Sequence, residues 1–106
     1  MYVAVYAWRV KPGMEAQFRE GWRRSTLAIT RTYGSFGSRL HQAADGRFIG
    51  YAEWPDEATW RAAYDTGMPH DDPESRVILA EAIDTSMEPG QLLASMEVID
   101  DLLTRR

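Results

Sequence analysis

Tyr2-Val3-Ala4-Val5-Tyr6-Ala7-Trp8-Arg9-Val10-Lys11-Pro12-Gly13 opens the chain, and the apolar period changes directly after it. From Tyr2 to Val10 the residues are mostly β-branched or aromatic, with no Gly or Pro, which favours a pleated strand over a helix. One parity holds Tyr2, Ala4, Tyr6, Trp8 and Val10; the other holds Val3, Val5, Ala7 and Arg9. There is no clean polar side, so both faces of this strand should be covered. Pro12 removes a backbone donor and Gly13 permits φ > 0, which ends the strand in a turn. From Met14 the pattern is helical. Met14, Phe18, Gly21, Trp22, Ser25, Ala28, Ile29, Thr32 and Tyr33 form one stripe predicted to pack inward, with Leu27 off it. The opposite side carries Gln17, Arg19, Glu20, Arg23, Arg24, Thr30 and Arg31, with Glu15/Arg19 and Glu20/Arg24 spaced for i, i+4 pairs on a solvated face. Gly34 stands where an αL residue would close the helix.

The remaining chain repeats the strand, helix, strand plan. Arg39 to Ala44 reads as a second strand and Arg47 to Trp54 as a third. Asp45-Gly46 between them is a hairpin signal, for which a type I′ turn needs φ > 0 at both central residues. Pro55 stops the third strand, and Asp56 caps a helix from Glu57 towards Asp65 with Trp60, Ala63 and Tyr64 on its apolar side. Thr66-Gly67-Met68-Pro69 breaks that helix. Asp72 as N-cap and Pro73 at N1 start another, predicted to run to about Met87 with Leu79, Ala82, Ile83 and Met87 as its stripe. Met68 and Met87 read as gap fillers. Glu88-Pro89-Gly90 ends it, and Gln91 to Ile99 is the last strand. The βαβ-βαβ order predicts an α+β, ferredoxin-like fold: a four-stranded antiparallel sheet with helices on one face. The double-sided apolar strands leave the second face to a second copy, so a homodimer is expected.

Composition narrows the function classes. The chain has 106 residues, 44% apolar and 26% charged, within the range of one folded domain, 1–106. A formal net charge of −4 and no basic stripe argue against nucleic acid. Cysteine is absent, so there is no disulfide, thiolate nucleophile or Cys metal site. No signal segment or membrane-length apolar run is present, and a cytoplasmic location is expected. There is no phosphate-cradling loop, nucleophile elbow or zinc spacing, so no cofactor and no metal are expected. His70-Asp71-Asp72 reads as helix capping, because three adjacent residues at a helix start cannot all converge on one ion.

Several of these segments resemble the antibiotic biosynthesis monooxygenase family of dimeric α+β barrels. They are the aromatic first strand running into Val10-Lys11-Pro12-Gly13, Phe18 and Trp22 in the first helix, Gly37-Ser38-Arg39-Leu40, and above all Tyr51-Ala52-Glu53-Trp54-Pro55-Asp56-Glu57-Ala58-Thr59-Trp60. The resemblance implies a homodimer with a pocket between sheet and helices or loops. For some members it implies oxidation of polycyclic phenols by O₂ without flavin, haem or metal. The deprotonated substrate then supplies the electrons, while the protein supplies an apolar cavity, a proton acceptor and a cationic or hydrogen-bonding group. The haem-degrading branch relies on Asn, Trp and His. Here Tyr6 or its neighbour and Ala63 occupy the first two positions and only His70 falls near the third, so haem degradation is disfavoured.

Strand parity predicts a site independently. If each strand turns its more apolar side to the helices, the other side collects Arg39, His41, Tyr51, Glu53, Ser95 and Glu97, joined by Arg9. His41 is then the expected base, Arg9 or Arg39 the group that stabilises a phenolate, and Tyr51 the residue orienting a hydroxyl. Arg39, Glu53, Glu97 and His70 are the expected substrate-binding residues. The same charges equally read as cross-strand ion pairs in an interface, and the Trp and Tyr residues as core and dimer packing. Two function classes remain: an oxygenase acting on an aromatic small molecule, and a non-catalytic dimeric module that binds a small ligand or only another subunit.

Overall fold

The computed structural model describes residues 1–86 and 90–104. Its elements are β1 (Tyr2–Trp8), α1 (Glu15–Tyr33), β2 (Gly37–Gln42), β3 (Phe48–Trp54), α2 (Glu57–Asp65), α3 (Pro73–Ala82) and β4 (Gln91–Glu97). The strands form one antiparallel sheet in the order β2-β3-β1-β4, the α+β ferredoxin-like arrangement expected from the sequence. β1 stops at Trp8, and beyond it Val10 makes an isolated bridge to Ile83.

Parity on β1 divides the molecule. Tyr2, Ala4, Tyr6, Trp8 and Val10 face the helices, and two apolar clusters form there. One joins Tyr2, Ala4 and Trp54 to Trp60 and Ala63 of α2; the other joins Phe48, Trp8 and Val10 to Phe18 and Trp22 of α1 and to Leu79 and Ala82 of α3. Val3, Val5 and Ala7 lie on the opposite face. Glycine sets the spacing of the helix layer at one point. A Cβ on Gly21 would come within 2.8 Å of the Leu79 backbone nitrogen, so α1 and α3 touch there through a residue without a side chain. Beside it the buried Ser25 and Ser75 hydroxyls bond each other at 2.8 Å, which satisfies two polar groups in an apolar contact.

Helix ends follow the expected chemistry. Gly34 closes α1 in the left-handed region (φ 77°), the Asp56 carboxylate accepts the Thr59 N–H, and that of Asp72 accepts the Ser75 N–H. Four expectations need correction. Asp45 does not take φ > 0, so the hairpin is not type I′; its carboxylate instead accepts the Arg47 N–H at 3.1 Å, and Gly46 alone takes φ 91°. Glu20 pairs with Arg23, which frees Arg24 to make a two-pronged ion pair with Asp72 at 2.7 and 2.9 Å and to reach Glu74 at 3.1 Å. Thr32 lies exposed rather than inward. The last helix ends at Ala82, because Ile83 turns extended to bridge Val10; Met87, Glu88 and Pro89 lie outside the described residues.

Among the described residues no helix is long and apolar enough to cross a membrane.

Candidate functional site

The helix-facing parity of the sheet is apolar but unevenly sized. β3 presents Phe48, Gly50, Ala52 and Trp54 to the helices, and β2 presents Ser38 beside Ala52 and Leu40 beside Gly50. The small residues leave a hollow over the sheet that the aromatic ones wall. The result is a cavity of about 320 Å³ between sheet and helices, at the lower end of the size of small-molecule sites. Tyr6, Trp8, Trp22, Trp54 and Tyr64 wall it, Gly37, Ser38, Gly50 and Ala52 lie at its floor, and Ile29, Met68 and Leu79 close it from the helix side.

Few polar groups reach this space. Tyr6 accepts a hydrogen bond from the Trp60 indole N–H at 3.0 Å, and burial pushes its hydroxyl pKa above the ordinary value while that bond acts the other way. Ser25 is bonded to Ser75 and Ser35 to Thr30. Trp54 is 2% exposed and, among the described residues, its indole N–H has no hydrogen-bond partner, an uncompensated cost of burial. Arg76 is the only lining residue with a charge among those described.

Arg76 is fixed by the segment joining α2 to α3. Its guanidinium donates to the Met68 carbonyl and, from Nε, faces His70 Nε2 at 3.2 Å. His70 Nδ1 also accepts from the Asp72 N–H at 3.1 Å. A neutral imidazole carries one proton and so can accept at only one of its nitrogens at a time. Burial first, then the positive charge of Arg76, holds the His70 pKa below its ordinary value. Gly67 and Met68, both with φ > 0, line the cavity from this segment. The segment is tied at several points. The Met68 side chain joins the first apolar cluster, Tyr33 donates to the Pro69 carbonyl, and Arg31 pairs with Asp71 at 2.9 Å.

The residues expected from parity lie elsewhere. Arg39, His41, Tyr51 and Glu53 do share the sheet face away from the helices: Arg39 stands opposite Tyr51, His41 opposite Ile49, and Glu53 opposite Val3. His41 and Arg39 are solvent-exposed on β2, the edge strand. Arg9 lies past the end of β1, where it donates to the Asp45 carbonyl at 3.1 Å. Ser95 and Glu97 are in register with Ala4 and Tyr2, on the helix side, because β4 shifts register between Val5 and Tyr6; the Tyr2 hydroxyl donates to Ser95 at 2.9 Å. None of His41, Arg9, Tyr51, Arg39, Glu53, Glu97 and His70 lines the aromatic cavity, although His70 touches it through Arg76. The reason is physical: polar parity gathers charged groups on the face away from the helices, whereas the hollow forms where side chains are small. The pair Gly50 and Ala52 between Phe48 and Trp54 on one parity is the legible signal. Arg76 had none, since its place depends on how α3 folds back over the sheet.

A second, shallower groove of about 530 Å³ lies on the other side, lined by Met1, Val3, Tyr51, Met96 and the segment from Glu97 to Leu103. Among the described residues no three His, Asp or Glu side chains come together in a way that could hold a metal ion.

No protein-family model matches the sequence, and neither does any curated protein. Solved structures do match. SnoaB, a cofactor-independent oxygenase from Streptomyces nogalater, superposes with a TM-score of 0.68 at 16% identity over 95% of both chains. The ActVA-Orf6 monooxygenase from Streptomyces coelicolor, solved with nanaomycin D, gives 0.67 at 23% identity over 98% of this chain and 92% of that one. A further antibiotic biosynthesis monooxygenase gives 0.61 at 18% identity over 94% of this chain and 100% of the other. The chain therefore has the fold of the antibiotic biosynthesis monooxygenases, which are its structural neighbours along essentially its whole length.

Proposed function

We propose that this protein is a cofactor-independent oxygenase acting on a planar phenolic compound held in the aromatic cavity. The observation that carries the reading is the cavity itself: five aromatic walls and one cation at the rim. An aromatic ring system fills such a space, while Arg76 offers hydrogen bonds and a positive charge to its oxygens. Arg76 favours the ionised form of a phenol or enol, which is the form that gives electrons to O₂. The apolar walls keep water away from the reacting carbon and strengthen the guanidinium's effect.

For a methylene flanked by two aromatic rings, the step is CH₂ + O₂ → C=O + H₂O. One C–H proton leaves first, the resulting anion reduces O₂ and bonds one oxygen, and loss of water from the peroxide leaves the carbonyl. No carboxylate or imidazole lines the cavity among the described residues, so the proton leaves through the rim, where neutral His70 and water can take it. Oxygen uptake with 1,8-dihydroxyanthrone, corrected for its spontaneous oxidation, tests this. A rate indistinguishable from buffer would overturn it.

The lack of a base inside the cavity favours a second reading, a small-ligand-binding module with no reaction. Tight binding of an anthraquinone without any oxygen uptake is the outcome that selects it.

We also propose that the working unit is a homodimer formed over the outer sheet face. Met96, Ile99, Leu102 and Leu103 are exposed at 44, 86, 90 and 53% beside the outer groove, so each copy carries both a groove and an apolar segment to cover another. A monomer in sedimentation velocity at about micromolar concentration, where obligate interfaces persist, would refute it.

A further inference from the structure

We propose that Gly50 and Gly90 determine the size of ligand the cavity accepts, by letting the Trp8 indole lie close against their backbones. This rests on the aromatic cavity being the ligand site.

Neither glycine is required by its backbone. Gly13, Gly34, Gly37, Gly46 and Gly67 have positive φ, but Gly50 and Gly90 do not, so an L residue fits their conformation. What they provide is space at one side chain. A Cβ on Gly50 would stand 2.9 Å from both Cη2 and Cζ3 of Trp8; one on Gly90 would stand 2.5 Å from Cδ1 and 2.8 Å from Nε1 of the same indole. The six-membered ring therefore rests on the β3 backbone and the pyrrole edge on the backbone just before β4. Tyr6, stacked at 6.1 Å, and Phe18, edge-on at 5.5 Å, hold its remaining sides.

Carbon atoms pack best at 3.5–4.0 Å, so an Ala at position 50 requires the indole to move by roughly 0.6 Å or more. Backbone and aromatic neighbours occupy the other directions, and the open direction is the cavity that Trp8 and Gly50 both line. Trp22 Nε1 lies only 3.6 Å from the same Cβ position, so the displaced ring also narrows the passage beside Trp22. In a space of about 320 Å³ a fused tricyclic ligand loses the room first, while a smaller phenol is still accommodated.

Calorimetric titration with 1,8-dihydroxyanthraquinone, which does not turn over, and with 1-naphthol separates these cases. Gly50→Ala should weaken the tricyclic ligand by about tenfold or more and the bicyclic one by less than about threefold, a difference well within reach of such titrations. Adding Trp8→Phe, which shortens the displaced ring, should restore tricyclic binding to that of Trp8→Phe alone. If Gly50→Ala does not fold, Gly90→Ala reads the same contact from the exposed end. Equal tricyclic affinity in the wild type and the folded glycine variants overturns the inference, as does a loss that Trp8→Phe does not repair. Failure of the wild type to bind either probe removes the cavity as the ligand site, a different failure from an unchanged size preference.

Discussion

The two faces of the sheet come from the same four strands, yet the face that reads as apolar holds the walled hollow and the other carries only a shallower groove. On the helix side, two small residues of β3, Gly50 and Ala52, sit between Phe48 and Trp54 within the apolar parity and leave the hollow. On the outer side, Arg39, His41, Tyr51 and Glu53 collect chemistry-bearing groups that a single copy of the chain does not enclose in an apolar space. A catalytic group gains its strength from exclusion of water. Residue size, together with what lies above it, decides where an enclosed space forms; residue type alone does not.

The contrast is sharpest in activity. With 1,8-dihydroxyanthrone, Arg76→Ala should lower the protein-dependent oxygen uptake by on the order of 10²-fold, the scale of losing a preorganised charge at a reacting oxygen. His41→Ala on the outer face should stay within about twofold, as surface substitutions away from a site do. The reverse pattern would move the site to the sheet face and break the comparison.

Stability should divide the faces in the same way. Phe18 has no exposed surface and packs on Trp8 and Phe48, so Phe18→Ala should cost about 3–5 kcal/mol in denaturant unfolding. His41→Ala should change it by less than about 0.5 kcal/mol.

A smaller effect separates the cavity rim from the rest of the surface. The folded-state pKa of His70 lies below its ordinary value of 6.5, so between the two values the unfolded chain binds more protons. Stability then rises with pH across that window and falls on acidification through it. The carboxylates of Asp71 and Asp72, held below the ordinary 3.8 by Arg31 and Arg24 respectively, contribute stability above that range that is lost further down as they protonate. His70→Gln should flatten the upper slope in urea titrations and leave the lower one. An unchanged upper slope would mean that neither burial nor Arg76 shifts His70 on folding.

Much of this protein was written in local pattern. Period two from Tyr2, period 3.6 from Met14, and the caps at Asp56, Asp72 and Gly34 specified the order of elements, because such signals depend on neighbours a few residues away. The inward positions of Phe18, Trp60 and Ala63 followed from the same periods. Tertiary structure decided what depends on distant partners. The register shift in β4 put Ser95 and Glu97 on the helix side, Ile83 left its helix to bridge Val10, and Arg24 exchanged a neighbour on its own helix for Asp72. The cavity belongs to this second group. Its walls come from four strands and helices far apart in sequence, and an empty space is defined by which side chains fail to fill it, a property no single stretch of sequence contains.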